Sequence, residues 1–161
     1  MTDSRAEGRT DRATKVILAS AEQLYAAFAD GDTLMQWLPP PNMTGRALVY
    51  EFREGGRYRI ELRYRSGGQG AGKTTGDSDI SIGRFVDLVP NRRIRQTVAF
   101  ETDDGALARG MRMTWTFEPQ LEATEVIVTA DNVPAAIGRE DHVEGLVASR
   151  ENLARFVEPT S

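Results

Sequence analysis

The chain has 161 residues, 40% of them hydrophobic, a formal net charge of −4 and no cysteine. That length suits one domain with one core, and the acidic balance argues against nucleic-acid and anionic-membrane surfaces. With His142 as the single histidine, thiolate sites and multi-histidine centres are excluded, so neither a metal nor a cofactor is expected.

Residues 1 to about 12, within "MTDSRAEGRTDRATKV", are polar and mixed in charge, with too little apolar surface to offset their ordering entropy. They are expected to form a disordered tail ahead of one domain spanning 13–158. The stretch lacks the apolar core of a signal peptide, and no run reaches membrane-spanning length. The expectation is a soluble, cytoplasmic protein without membrane insertion.

A first strand is predicted over 14–19, "TKVILA". Ser20 with Gln23 spells a capping box that opens the helix "AEQLYAAFA". Gly31 is expected to end it, and "DTLMQWL" to form a second short helix stopped by Pro39, Pro40 and Pro41. The period then changes from helical to two. In "YRIELRYR", Tyr58, Ile60, Leu62 and Tyr64 alternate with charged residues; "MRMTWTFE" directs Met111, Met113, Trp115 and Phe117 one way; "IRQTVAF" does so with Ile94, Gln96, Val98 and Phe100. Weaker copies run through 47–53, 79–87 and 124–130. Counting the first, seven antiparallel strands are predicted, joined by turns such as "REGG", "VPNR" and "DDGA".

Between two of these strands, "GGQGAGKTTG" (Gly67 to Gly76) formally spells the phosphate-binding signature G-x-x-x-x-G-K-[ST]. That motif needs a buried parallel strand before it and a helix N-terminus after it. Here the preceding strand alternates, and "TGDSDISIGRFVD" follows with glycines, turn formers and β-branched residues. The context therefore assigns a hairpin loop, not a nucleotide site.

The last element, "REDHVEGLVASRENLARFV" from Arg139 to Val157, carries an apolar stripe interrupted at Arg150. At ~1.5 Å per residue the helix is roughly 28 Å long, matching an eight-residue strand, so it can lie across the sheet's apolar face. Full burial of Val143, Leu146, Val147, Leu153 and Val157 is expected, at ~1.5–3 kcal/mol each. Seven strands at ~4.8 Å make a sheet about 30 Å wide, against a helix only ~10–12 Å across. Unless Trp115, Phe117, Met111 and Met113 fill the space, apolar side chains should line an internal hollow.

The order strand, two helices, six strands, long helix resembles the helix-grip fold of the START-like (SRPBCC) superfamily. Within it the chain is similar to the branch related to the C-terminal domain of activators of the ninety-kilodalton heat-shock protein ATPase. Trp37-Leu38-Pro39-Pro40 fits the W-x-x-P after the second helix, Gly55-Gly56 the glycine pair between the next strands, and "GRFVDLVPNRRI" (Gly83 to Ile94) the G-x-[FY]-x-x-[LIV]-x-P-x-x-x-[LI] hairpin. Thr124 fits the start of the last strand, and Gly145 to Leu153 the helix pattern G-W-x-x-x-L-x-x-L. The resemblance covers about 13 to 158. It implies an α+β fold: a curved seven-stranded antiparallel sheet around a long C-terminal helix, with two short helices after the first strand. Two positions depart from it, Leu146 in place of tryptophan and Arg150 in place of leucine. Both are expected to face the sheet.

The candidate cavity residues follow. Arg150 must snorkel, pair with an acid, or anchor a ligand anion, because an unpaired buried guanidinium costs several kcal/mol. Gln96 and Arg84 are placed inward, and Tyr58 and Tyr64 bring hydroxyls to the same face, either to bond one another or to orient a ligand. Trp37 and Trp115 read as packing residues that can also touch a ligand, beside Met113 and Leu146. Glu140 and Asp141 read as capping acids of the last helix, and His142 as an exposed neighbour with a general acid–base role as its alternative.

The leading expectation is a non-catalytic module holding a small hydrophobic or amphipathic molecule between helix and sheet, as the resemblance implies. A cochaperone-like ATPase activator acting through its surface is the second reading. The eukaryotic activators carry a separate N-terminal domain for which this length leaves no room. A polyketide cyclase or aromatase is the third, since fold alone does not establish function. A homodimer through an exposed strand or helix face is compatible with all three.

Overall fold

The computed structural model describes residues 9–40, 42–65, 78–102, 110–134 and 137–158. Both the Gly67 to Gly76 stretch and the turn "DDGA" lie outside these residues. Seven strands, β1 (Arg9–Ile17), β2 (Met43–Tyr50), β3 (Arg57–Tyr64), β4 (Ser78–Val89), β5 (Arg93–Phe100), β6 (Met111–Gln120) and β7 (Ala123–Val133), form one antiparallel sheet in the order β1-β7-β6-β5-β4-β3-β2. Helices α1 (Ala21–Ala26) and α2 (Gly31–Leu34) follow β1, and α3 (Arg139–Val157) closes the chain. This is the helix-grip arrangement that the resemblance implies. No described helix is long and apolar enough to cross a membrane.

Local chemistry sets the short elements. The Ser20 hydroxyl accepts from the Gln23 amide at 3.1 Å while the Gln23 side chain accepts from the Ser20 amide at 3.0 Å, so the capping box forms. Gly31 starts α2 instead of ending α1, because Asp30 caps the second helix by accepting from the Thr33 amide at 3.1 Å. A Cβ on Gly31 would stand 2.9 Å from that of Ala47, so the glycine also lets α2 approach β2. The predicted turns use left-handed residues, Gly55 at φ 80° and Asn91 at φ 64°. Thr124, fully buried, donates its hydroxyl to the Ala19 carbonyl at 2.8 Å and ties β7 to the approach of α1.

β1 begins at Arg9, earlier than the predicted strand, so the expected tail boundary near residue 12 moves back. The reason is Asp11. This carboxylate is 2% exposed and points inward, breaking the apolar alternation by which a strand is recognised. Arg9 grips it through Nε at 2.9 Å and Nη2 at 3.1 Å, and the Nδ1 of His142 lies 2.8 Å from its second oxygen. Arg139 approaches to 3.5 Å. Burial raises the Asp11 pKa, yet the hydrogen bonds and charges of Arg9 and His142 outweigh it and hold the carboxyl below its ordinary value. His142 is therefore a part-buried partner of β1, not the exposed neighbour expected. Glu140 and Asp141 stand in the first turn of α3, where their charge suits the dipole, but the N-cap is Gly138 and makes no side-chain cap.

The helix α3 keeps the predicted bounds but runs alongside β1. Polar contacts at three places fasten it: His142 and Arg139 to Asp11, Glu151 to Lys15 at 3.1 Å, and Glu158, accepting from the Leu18 amide at 2.9 Å. From His142 to Glu158 a helix rises ~24 Å, and from Asp11 to Leu18 a strand spans ~23 Å, so the contacts stay in step. Lying near the sheet edge, α3 buries Leu146, Leu153 and Ala154 fully but leaves Val143, Val147 and Val157 half-buried, which corrects the expectation for those three.

An aromatic cluster packs the middle of the sheet. Phe28 from the short-helix segment meets Trp37 at 5.1 Å and Trp115 at 5.0 Å between ring centres, while Phe85 meets Phe52 at 5.1 Å and Tyr58 at 5.4 Å. Such pairs are worth ~0.5–1.5 kcal/mol each beyond area burial.

Candidate functional site

The sheet's inner face, the short-helix segment and α3 border a partly open cavity of about 120 Å³. Phe28, Leu34 and Leu38 wall it from the short-helix side, Tyr50, Tyr58 and Ile60 from β2 and β3, Ser81 from β4, Gln96 and Val98 from β5, Met113 and Trp115 from β6, and Ser149 from α3. The walls are mostly apolar. Two hydroxyls, an amide and two phenols interrupt them.

Register explains this lining. Ile60 pairs with Ser81, Tyr58 with Gly83, Phe85 with Gln96 and Gln96 with Met113, so these positions share the inner face. The Tyr58 hydroxyl donates to the Thr97 carbonyl at 2.5 Å, and the Tyr50 hydroxyl to the Phe28 carbonyl at the same distance. Burial pushes both phenols well above their ordinary pKa, opposed at Tyr58 by a hydrogen bond with Gln96. Both phenols are therefore neutral and already committed to backbone acceptors. Gln96, Ser81 and Ser149 are the remaining polar groups that can meet a guest.

Four of the expected cavity residues, Tyr58, Gln96, Met113 and Trp115, come together here. The others stand elsewhere. Trp37 is 3% exposed, donates its Nε1–H to the Ala27 carbonyl at 3.0 Å and packs edge-on against Trp115, behind the cavity wall. Leu146 is buried in the core, and Tyr64 pairs opposite Met43 at the end of β3. Arg84 projects outward, correcting its expected phase. Gly83 takes the inward position beneath the Tyr58 hydroxyl, where a Cβ would stand 1.9 Å from the Thr97 carbonyl oxygen. The isoleucines Ile80 and Ile82 disguise that phase in the sequence, because they put apolar residues at outward positions, Ile80 itself being buried.

Arg150 does not reach the cavity. Its Nη2 lies 3.5 Å from Glu151, and its buried Nε has no hydrogen-bond partner among the described residues. The neighbouring Ser149 takes the inward position. Ser81 and Ser149 were missed by sequence reasoning, as a serine on either element carries no signal until the register of β4 and the rotation of α3 are known. Among the described residues, no three carboxylate or imidazole groups converge on a metal position.

Size sets what this site can take. An apolar cavity of ~150 Å³ accommodates benzene, whereas drug-sized ligands occupy ~300–1,000 Å³. A single small ring is the scale that fits.

Comparison with known proteins follows the fold. The sequence profile of the family described as activator of Hsp90 ATPase homolog 1-like protein matches residues 18–158. Among solved structures, protein CV1439 of Chromobacterium violaceum is 32% identical, with a TM-score of 0.82 over 94% of this chain and 99% of its own. Protein Ms6760 of Mycobacterium smegmatis is 14% identical, TM-score 0.74, over 94% and 92% of the two chains. A protein of Arthrobacter aurescens is 15% identical, TM-score 0.76, over 97% and 88%. The last two are likenesses of fold alone. No curated protein matches. With its profile matching residues 18–158 and a relative at 32% identity spanning nearly both chains, the protein belongs to the activator of Hsp90 ATPase homolog 1-like family.

Proposed function

We propose that the chain binds a small molecule of about one aromatic ring in the cavity between α3 and the sheet. The observation that carries this reading is the cavity itself, about 120 Å³ of mostly apolar wall onto which Gln96, Ser81 and Ser149 converge. Apolar walls supply affinity, and a few placed polar groups orient the guest. Membership of the family supports a ligand-binding or cochaperone-like role in general terms. The cyclase reading draws less support from the geometry. Its proton donor would have to be a phenol already bonded to a backbone carbonyl, or His142, which faces Asp11.

Native mass spectrometry of the purified protein, followed by titration with phenol, indole and benzyl alcohol, tests the reading. Saturable binding that shifts the amide signals of Gln96, Met113 and Ser149, and that Ser149→Leu weakens at least about tenfold by filling the space, is the expected result. Absence of both a co-purifying molecule and any saturable ring-sized probe would sink it.

A further inference from the structure

The outer face of the sheet carries a second, larger hollow of about 490 Å³. Register builds it. Val49 stands opposite Arg59, Arg59 opposite Ile82 and Ile82 opposite Ala99, so one cross-strand row runs over four strands. Val49, Ile82 and Ala99 give it an apolar floor, and Arg57, Arg59 and Arg84 line it as well. Arg57 and Arg84 face each other in the adjoining row, so their guanidinium groups flank that floor together.

The three arginines are held differently. Arg59 grips Glu101 through hydrogen bonds of 2.6 and 3.0 Å, which matches its charge within the protein. Arg57 is 63% exposed in its side chain, with its Nε 3.6 Å from Glu51. Arg84 is exposed and donates to the Gly55 carbonyl at 3.1 Å; among the described residues no carboxylate stands within ion-pair distance of it. One unmatched guanidinium and one loosely matched one thus border an apolar floor.

We propose that this hollow is a site for a small organic anion: an apolar ring or short chain lies on Val49, Ile82 and Ala99 while its carboxylate, sulfonate or phosphate is held by Arg84 and Arg57. The volume falls within the ~300–1,000 Å³ of small-molecule sites. Guanidinium groups match planar and tetrahedral oxyanions through paired N–H donors. An acidic protein segment would need positive charge spread along a surface, whereas here it is gathered beside one compact apolar patch. The site does not rest on the interior cavity, from which the sheet itself separates it.

The test uses the full chain and two fluorescent probes with nearly the same aromatic body, anilinonaphthalene sulfonate and uncharged phenylnaphthylamine. Saturable binding of the sulfonate is expected, weakening as ionic strength rises, with amide shifts centred on Val49, Ile82 and Ala99 in nitrogen-labelled protein. The double substitution Arg57→Gln/Arg84→Gln should weaken it at least about tenfold and leave the neutral probe within about twofold, while Arg84→Lys keeps part of the affinity. Both side chains project into solvent, so an unchanged thermal midpoint is expected and separates lost binding from lost fold. Ser149→Leu, which blocks the interior cavity, should leave sulfonate binding intact, so the two sites fail independently. Equal affinity for both probes, indifference to the double substitution, or shifts centred on Gln96, Met113 and Trp115 would overturn the proposal. So would a hexaglutamate peptide that binds the same residues more tightly than the sulfonate does.

Discussion

Arg150 shows what a single side chain can conceal. The helical stripe marks it as an inward interruption, yet its guanidinium lies beside Glu151 and leaves Nε buried without a partner among the described residues. An unsatisfied buried donor costs ~1–3 kcal/mol, and the pair with Glu151 is partly exposed and worth less. Arg150→Leu is accordingly expected to raise stability by about 1–2 kcal/mol, read as a higher urea midpoint at constant slope. Ring-sized ligands should bind this variant as they bind the parent, since Arg150 is absent from the cavity wall. Gly83 is the opposite case. Its Cβ would stand 1.9 Å from the Thr97 carbonyl oxygen and 2.7 Å from the Tyr58 hydroxyl, so Gly83→Ala must displace backbone. A loss of about 3 kcal/mol is expected, and thermal unfolding will show it as a midpoint lower by several degrees. Arg84, one position on, was misplaced for the same underlying reason: with glycine at the inward position, side-chain size no longer reports which way the strand faces.

At the scale of elements, patterns that depend on neighbours in sequence were legible and those that depend on distant partners were not. The Ser20 capping box, the period-two strands and both ends of α3 follow from adjacent residues, and they stand as predicted. The start of β1 was hidden because Arg9 and Asp11 pair with β7, and the buried Asp11 finds its partner His142 on α3, all more than a hundred positions away. That pairing has a pH signature. The Asp11 carboxyl is held below its ordinary value of 3.8 in the folded chain, so its contribution to stability is complete above about pH 4 and is lost as the pH falls through the folded value. The groups facing it are Arg9 on its own strand and Arg139 and His142 on the helix. Asp11→Asn should lower stability by about 2 kcal/mol at pH 7 and flatten the loss between pH 4 and pH 2, as followed by chemical denaturation across that range.

For the whole molecule, the fold was readable because element order and alternation leave few ways to close seven strands around one long helix. The interior was readable only in part. Sheet width alone leads to the expectation of a hollow, but it does not reveal how the aromatic rings of Phe28, Trp115 and Phe85 pack, which leaves a space of about 120 Å³. Nor can it see that a helix near the sheet edge turns Ser149 inward in place of Arg150. Hydrogen exchange offers a measurement at this scale. The amides of α2, a single turn, should open at far lower free energy than those around Leu146 and Leu153, and a bound ring should slow the first group while leaving the second unchanged.

The even fastening of α3 along β1, at Asp11, Lys15 and Leu18, has a consequence for traffic. A beam pinned at both ends and its middle cannot swing, so it makes a poor door. On the proposed reading, a guest is expected to enter past Leu34 and Leu38 on the short-helix side and not beneath α3.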